Sequence, residues 1–254
     1  MATLSEGDNV LVQSPTYPVH TYGVVIAGAT VEPVTLIDDL ESFLDQIKEK
    51  ISRKKDKPKM LIINFPSNPT TITCNKAFFE ELVNICKKND IWIIHDLAYA
   101  DIAFDGYKAP SILEIEGAKD IAVEFYTLSK SYNMPGWRVG FCSGNKHLVA
   151  ALTKIKSYLD YGTFTPIQVA AIKALNECDD EVSKICNLYK ERRDELCKGL
   201  NRIGWNIESP NATMFLWAKI PEKFQKIGAG RSAAVAKSHI PSGGGTPPVP
   251  TEPL

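Results

Sequence analysis

The 254-residue sequence has no apolar run long enough to cross a bilayer. Its longest apolar-leaning stretch, Tyr22–Val31, is far short of the roughly 20 residues a spanning helix needs. It also lacks an excess of either charge: 29 Lys+Arg against 30 Asp+Glu leave a net charge of −1. General attraction to nucleic acid or to an anionic membrane has no basis in that balance. There are six cysteines, none in a CxxC pair, and four histidines, so a zinc site has little support. A chain of this size does not depend on disulfides, and reduced thiols in the cytoplasm are the expectation. The opening MATLSEGDNV has neither a basic nor an apolar region of the kind a signal peptide carries. What is present is ordinary globular composition, 44% hydrophobic and 23% charged, enough for a core.

The first half alternates two kinds of signal. Short apolar runs at Asn9–Val12, Met60–Asn64, Ile91–His95, Ile121–Tyr126 and Arg138–Cys142 read as strands. Between them, Asp38–Ile51 and Lys76–Lys88 carry helical periodicity, with a weak helical segment at Ser111–Ile115. This order predicts an α/β fold with a mostly parallel sheet flanked by helices. Helices follow at Asn145–Asp160, Thr165–Asn176 and Asp179–Ile203, the last stopped by Gly204. Two strands are expected at Trp205–Glu208 and Met214–Ala218, joined at Pro210-Asn211, as the start of an α+β small domain. The expected division is a large domain over 1–160, a helical connection over 161–203, a partial small domain over 204–227 and a tail over 228–254. The tail holds five Gly, five Pro and no aromatic residue, a composition expected to be disordered or non-native.

In open α/β sheets ligands bind beyond the carboxyl ends of the strands. Four strand ends here carry polar or aromatic residues: Tyr17 after the first, Asn68 after the second, Asp96 and Tyr99 after the third. The fourth carries Thr127, Ser129 and Lys130, with Arg138 following. Singly, each has an ordinary reading as a packing tyrosine, a turn amide, a helix cap or a solvated lysine. An arginine entering an apolar strand is less ordinary, because a half-buried guanidinium needs a partner. Together they offer an aromatic face, an amide, an acid, a phenol, hydroxyls and two cations. A planar, anionic cofactor with a ring nitrogen uses all of these, and pyridoxal 5′-phosphate (PLP) fits.

The run Thr127-Leu128-Ser129-Lys130-Ser131-Tyr132-Asn133-Met134-Pro135-Gly136-Trp137-Arg138-Val139-Gly140 resembles the PLP-lysine signature of class I/II aminotransferases, with Thr for the commoner Ser or Gly at its start. Asn68-Pro69-Thr70 resembles that family's NPT(G) element, with Thr71 where Gly is usual. Asp96-Leu97-Ala98-Tyr99 resembles its acid–tyrosine pair, and Ser14-Pro15-Thr16-Tyr17-Pro18 its ring-stacking segment. The likeness runs from about Leu4 to Gly228. The stretches Lys156–Pro166 and Ser131–Trp137 are most similar to the bacterial glutamate–pyruvate (alanine) and LL-diaminopimelate aminotransferase branch.

The resemblance implies a fold-type I, PLP-dependent transferase-like large domain and an amino-group exchange between an L-amino acid, alanine or glutamate, and a 2-oxo acid. It implies Lys130 as the lysine forming the internal aldimine and moving the substrate proton. Asp96 is implied at the ring nitrogen, Tyr99 and Asn68 at the ring oxygen, Tyr17 against the ring, and Thr127, Ser129 and Arg138 at the phosphate. It implies homodimers in the full-length parent. It further implies that family segments before Leu4 and after Gly228 are absent, the carboxylate-gripping arginine among them, since Gly230-Arg231-Ser232 does not match its motif. The chain is therefore expected to be incomplete, with inactivity by itself as one expected outcome. Two other readings share the fold: a PLP-binding regulatory module, and a PLP lyase acting at Cβ.

Overall fold

The computed structural model describes residues 1–221, apart from 38 and 54–56, and the pair Ala234–Val235. Strands β1 (Asn9–Ser14), β2 (Thr30–Thr35), β3 (Met60–Asn64), β4 (Trp92–Asp96), β5 (Ala122–Thr127) and β6 (Gly140–Gly144) form one sheet in the order β2-β1-β3-β4-β5-β6. The first five are parallel, and β6 runs antiparallel to β5. The sheet is mostly parallel, as expected. From β1 the chain passes to β2 on one side and then crosses back to β3 on the other. The carboxyl ends beside β1 and β3 therefore open at a topological switch point.

Both faces of the sheet are covered. Along β3, Leu61 and Ile63 join Phe43, Ile47, Phe79 and Leu82 of helices α2 (Leu40–Ser52) and α3 (Lys76–Lys88). Met60 and Ile62 point the other way, to Val10, Val12 and Val24. Val24 lies on helix α1 (Pro18–Ile26). Alternate residues buried on both sides give β3 its unbroken apolar run. Each fully buried side chain of this size contributes about 1.5–3 kcal/mol.

Helix α1 and strand β2 were not expected. The apolar run Tyr22–Val31 is divided between them at Gly28, whose φ of 79° suits a residue without a Cβ. The valines and Gly23 of α1 are weak helix formers, which hides the helix, although Pro18 in its first turn marks the start. Strand β2 contains Pro33 and buries only Val34, a pattern that an edge strand tolerates. The expected helix start at Asp38 lies outside the described residues, and Asp39 caps α2 by accepting from the Ser42 N–H.

Past β5 come the four-residue α4 (Leu128–Ser131), then α5 (Lys146–Leu159), α6 (Thr165–Glu177) and α7 (Asp179–Arg202). Ser111–Ile115 holds only one 3-10 turn, Ile112–Glu114, closed by a capping box from Ser111. No strand forms at 205–208. There the Asn201 side chain accepts from the Ile207 N–H, and the Trp205 indole donates to the Lys219 carbonyl. The second expected strand shortens to β7 (Trp217–Ala218), which pairs with β8 (Ala234–Val235). Instead of closing a hairpin, the 211–213 segment docks on the loop after β4 through Phe104 N–H to Asn211 O and Thr213 N–H to Ile102 O. Apart from β8, the Gly/Pro-rich stretch 228–254 lies outside the described residues.

Candidate active site

The parallel register sets Asn64 of β3 level with Asp96 of β4, and Asp96 level with Phe125 of β5. The residues after these positions form the site. The main-chain ladder between β1 and β3 stops at Val12 and Ile62, and the buried Gln13 side chain continues it. Its Oε1 accepts from the Asn64 N–H at 3.0 Å, and its Nε2 donates to Ser67 Oγ at 2.8 Å. The Asn64 amide in turn donates to the Asp96 carbonyl and accepts from the Asn68 N–H at 2.7 Å. Gln13, Asn64 and Ser67 are essentially inaccessible to solvent. Buried polar groups bonded in this way fix one loop geometry.

That geometry brings Asn68 to Tyr99: its Nδ2 donates to the phenol oxygen at 3.3 Å. Tyr99 is buried, its ring edge-on to Phe215 with centroids 5.4 Å apart. Burial pushes the Tyr99 phenol well above its ordinary range, and the Asp96 charge adds to this, while the Asn68 bond opposes it. The phenol is thus a neutral donor at working pH. Lys130 Nζ lies 6.0 Å from the centroid of the same ring.

Asp96 accepts from the Ala98 N–H at 3.1 Å with one oxygen. The other lies 2.9 Å from His20 Nε2, and His20 Nδ1 is 2.6 Å from Thr16 Oγ1. His20 is absent from the sequence reading because its helix was not recognised. Once Pro18 is taken as a first helical turn, Thr16 and His20, four apart, become neighbours. Tyr17 sits edge-on to His20, with ring centroids 6.0 Å apart, and remains 46% exposed. The neighbouring His95, fully buried, points to the other side of β4, between Glu124 Oε2 (2.9 Å) and the Phe65 carbonyl (3.0 Å).

At the end of β5, Thr127 caps α4 by accepting from the Ser129 N–H, and its hydroxyl donates to Ser129 Oγ at 2.9 Å. Thr127, Ser129, Arg138 and Asp96 line one open cleft, together with Phe141, Cys142 and Lys156. Arg138 corrects the sequence reading. It precedes β6, has a left-handed φ of 55°, and is exposed, its guanidinium donating to the Pro135 carbonyl at 3.0 Å. Its partner is therefore backbone and solvent, not the buried counter-group that a half-buried arginine needs.

The family description "aminotransferase class I and II" matches residues 1–239. The chain belongs to this family. It is 55% identical over 229 residues to the glutamate-pyruvate aminotransferase AlaC of Escherichia coli K12, covering 90% of this chain and 55% of that protein. It is 44% identical to LL-diaminopimelate aminotransferase 2 of Trichormus variabilis, over 87% of this chain and 56% of the relative. Among solved structures, an aminotransferase from Staphylococcus aureus superposes with a TM-score of 0.79 at 35% identity, over 87% of this chain and 58% of that one. The chain spans about half the length of the curated relatives it matches. The aminotransferase fold thus accounts for the mixed, mostly parallel sheet.

Proposed function

We propose that this chain binds PLP at the carboxyl edge of β3, β4 and β5 and serves amino-group transfer between an L-amino acid and a 2-oxo acid. The observation that carries the proposal is the convergence of a carboxylate, a phenol–amide pair, a hydroxyl pair and a lysine at neighbouring strand ends. The donor set suits the cofactor group by group: an acid for a ring nitrogen, a neutral phenol and an amide for a ring oxygen, hydroxyls and a guanidinium for a phosphate. When bound, PLP supplies an aldehyde for amine exchange and a ring that withdraws electrons from the substrate Cα.

Asp96 would pair with the ring nitrogen and keep it protonated, and His20 holds Asp96 in place. Tyr99 and Asn68 would bond the ring oxygen, and Tyr17 would cover the ring face. Thr127, Ser129 and Arg138 would bind the phosphate, Arg138 with a charge that persists across the working range. Lys130 would hold the cofactor at its aldehyde and would carry the proton at the substrate Cα. Alanine and glutamate are the proposed donors, since the AlaC likeness, at 55%, exceeds the 44% to the diaminopimelate enzyme. Dimerisation of the whole protein and a cytoplasmic location belong to the same proposal, as does the division into a large domain (1–160), a connection (161–203) and a small domain from 204.

The test is the visible spectrum of the chain with PLP. A protein-bound band that L-alanine or L-glutamate converts, and that Lys130→Ala abolishes, supports the proposal. No specific band with the native sequence overturns it.

A further inference from the structure

We infer that Asp101 is a positioning residue that sets Lys130 against the loop carrying Asp96 and Tyr99. The inference rests on the reading above that Lys130 is the cofactor lysine. Asp101 lies two residues beyond Tyr99, outside every motif the sequence offers. A single oxygen of its carboxylate accepts from two hydroxyls, Tyr126 Oη at 2.6 Å and Ser131 Oγ at 2.6 Å. These residues bracket the turn that carries the site: Tyr126 directly precedes Thr127, and Ser131 directly follows Lys130. One carboxylate therefore grips both ends of the Thr127–Lys130 segment and ties it to the β4 loop.

The segment needs such a grip. Helix α4 has four residues, too few to hold itself by main-chain bonds. At its start it is fixed by the Thr127 cap and by Leu128, which is buried against Val139, Ala171 and Ala174. Beyond its end the chain turns at Asn133, whose φ is 51°, and the 3-10 turn at Pro135–Trp137 that follows buries no residue. Ser131 is fully buried, so its hydroxyl must find a partner inside, and Asp101 is that partner. Two bonds of 2.6 Å to one carboxylate are short and charge-assisted. The Tyr126 phenol is pushed above its ordinary range by burial and by this carboxylate, so it stays the donor. Without Asp101, Ser131 loses its buried acceptor, and the Lys130 backbone loses its fixed relation to Tyr99.

The experiment compares the native chain with Asp101→Ala, Asp101→Asn, Ser131→Ala and Tyr126→Phe. Two readouts are mapped by peptide mass spectrometry, relative to the exposed Lys154. The first is borohydride trapping of PLP at Lys130; the second is acylation of Lys130 by a small reagent without cofactor. Trapping at Lys130 is expected to fall about tenfold in Asp101→Ala and about threefold in Ser131→Ala and Tyr126→Phe. Asp101→Asn, which keeps an acceptor oxygen, should fall between the native chain and Asp101→Ala. Acylation should rise at Lys130 alone, a selectivity that general loosening of the fold does not produce. Thermal melting identifies any variant that fails to fold, and Asp101→Asn and Ser131→Ala then decide. Unchanged trapping and acylation at Lys130 in folded variants overturn the inference. Absence of trapping at Lys130 in the native chain instead overturns the cofactor reading; a Lys130-confined rise in acylation would still support the clamp, and no rise would overturn it.

Discussion

At the β3–β4 end of the site, Asn68, Tyr99 and Asp96 are held by groups that are themselves buried: Asn64, Gln13 and His20. At the β5–β6 end, the hydroxyls of Thr127 and Ser129 face an open cleft, and Arg138 and Trp137 stand exposed. The difference follows the sheet. Among the described residues, strands β3 and β4 have neighbours on both sides, whereas β6 is paired with β5 alone. Interior strands surround their loops with partners, and an edge strand leaves half of its surroundings to solvent. The groups at the β3–β4 end are therefore fixed by buried partners, while the hydroxyls and the cation at the β5–β6 end sit in a wetter setting.

Substitutions that strip buried partners should separate the two ends most sharply. Glu124→Ala takes away the acceptor shared by fully buried His95, the Ile112 N–H and the Ser111 hydroxyl. A loss of about 3–5 kcal/mol in denaturant unfolding is expected, as for breaking a buried polar pair. Asn64→Ala leaves the Asn68 N–H and the Asp96 carbonyl without their side-chain partner, for a loss of about 2–4 kcal/mol. A loss below about 0.5 kcal/mol for Asn64→Ala would mean that the interior end is not held as described, and the same result for Glu124→Ala would contradict the buried support on the other side of β4.

Not all of this was visible beforehand. Asp96, Tyr99, Asn68 and Lys130 could be read because a strand's last apolar residue marks where a side chain meets the carboxyl edge. The residues that hold them could not. Gln13 and Asn64 look like ordinary polar strand ends until β1 and β3 are seen side by side. His20 was hidden in a helix of weak formers, and Phe215 reaches Tyr99 from a segment distant in sequence. Asp101 depends on a pairing between two loops that no local pattern encodes. Arg138 was expected to enter the last strand half-buried, but it precedes β6 in a left-handed turn and is exposed, which no local pattern encodes.

A smaller effect should come from Asp105, which anchors α7 to the loop beyond Tyr99. Hydrogen bonds from Arg193 and then Lys190 hold its carboxyl at about 2, below the ordinary 3.8. A carboxylate with a depressed value stabilises the fold above its unfolded pKa, and that contribution disappears as the pH falls through the folded one. Asp105→Asn should therefore melt lower than the native chain at pH 7, and the gap should close as the pH falls from 3.8 towards 2. A gap that persists at the acid end would point to packing, not charge. The smallest stability change is expected for the exposed Arg138→Ala, within about 0.5 kcal/mol. The same variant should weaken binding of PLP more than of pyridoxal, which lacks the phosphate; an equal effect on both ligands would remove Arg138 from the anion end.

The most direct test of the whole account is where the cofactor attaches. The native chain is mixed with PLP, reduced with borohydride, digested and mapped by mass spectrometry. The account predicts one dominant adduct, on Lys130, that Lys130→Ala removes without moving it to a neighbouring lysine. Adducts spread over exposed lysines, with Lys130 no more modified than Lys154, would contradict it.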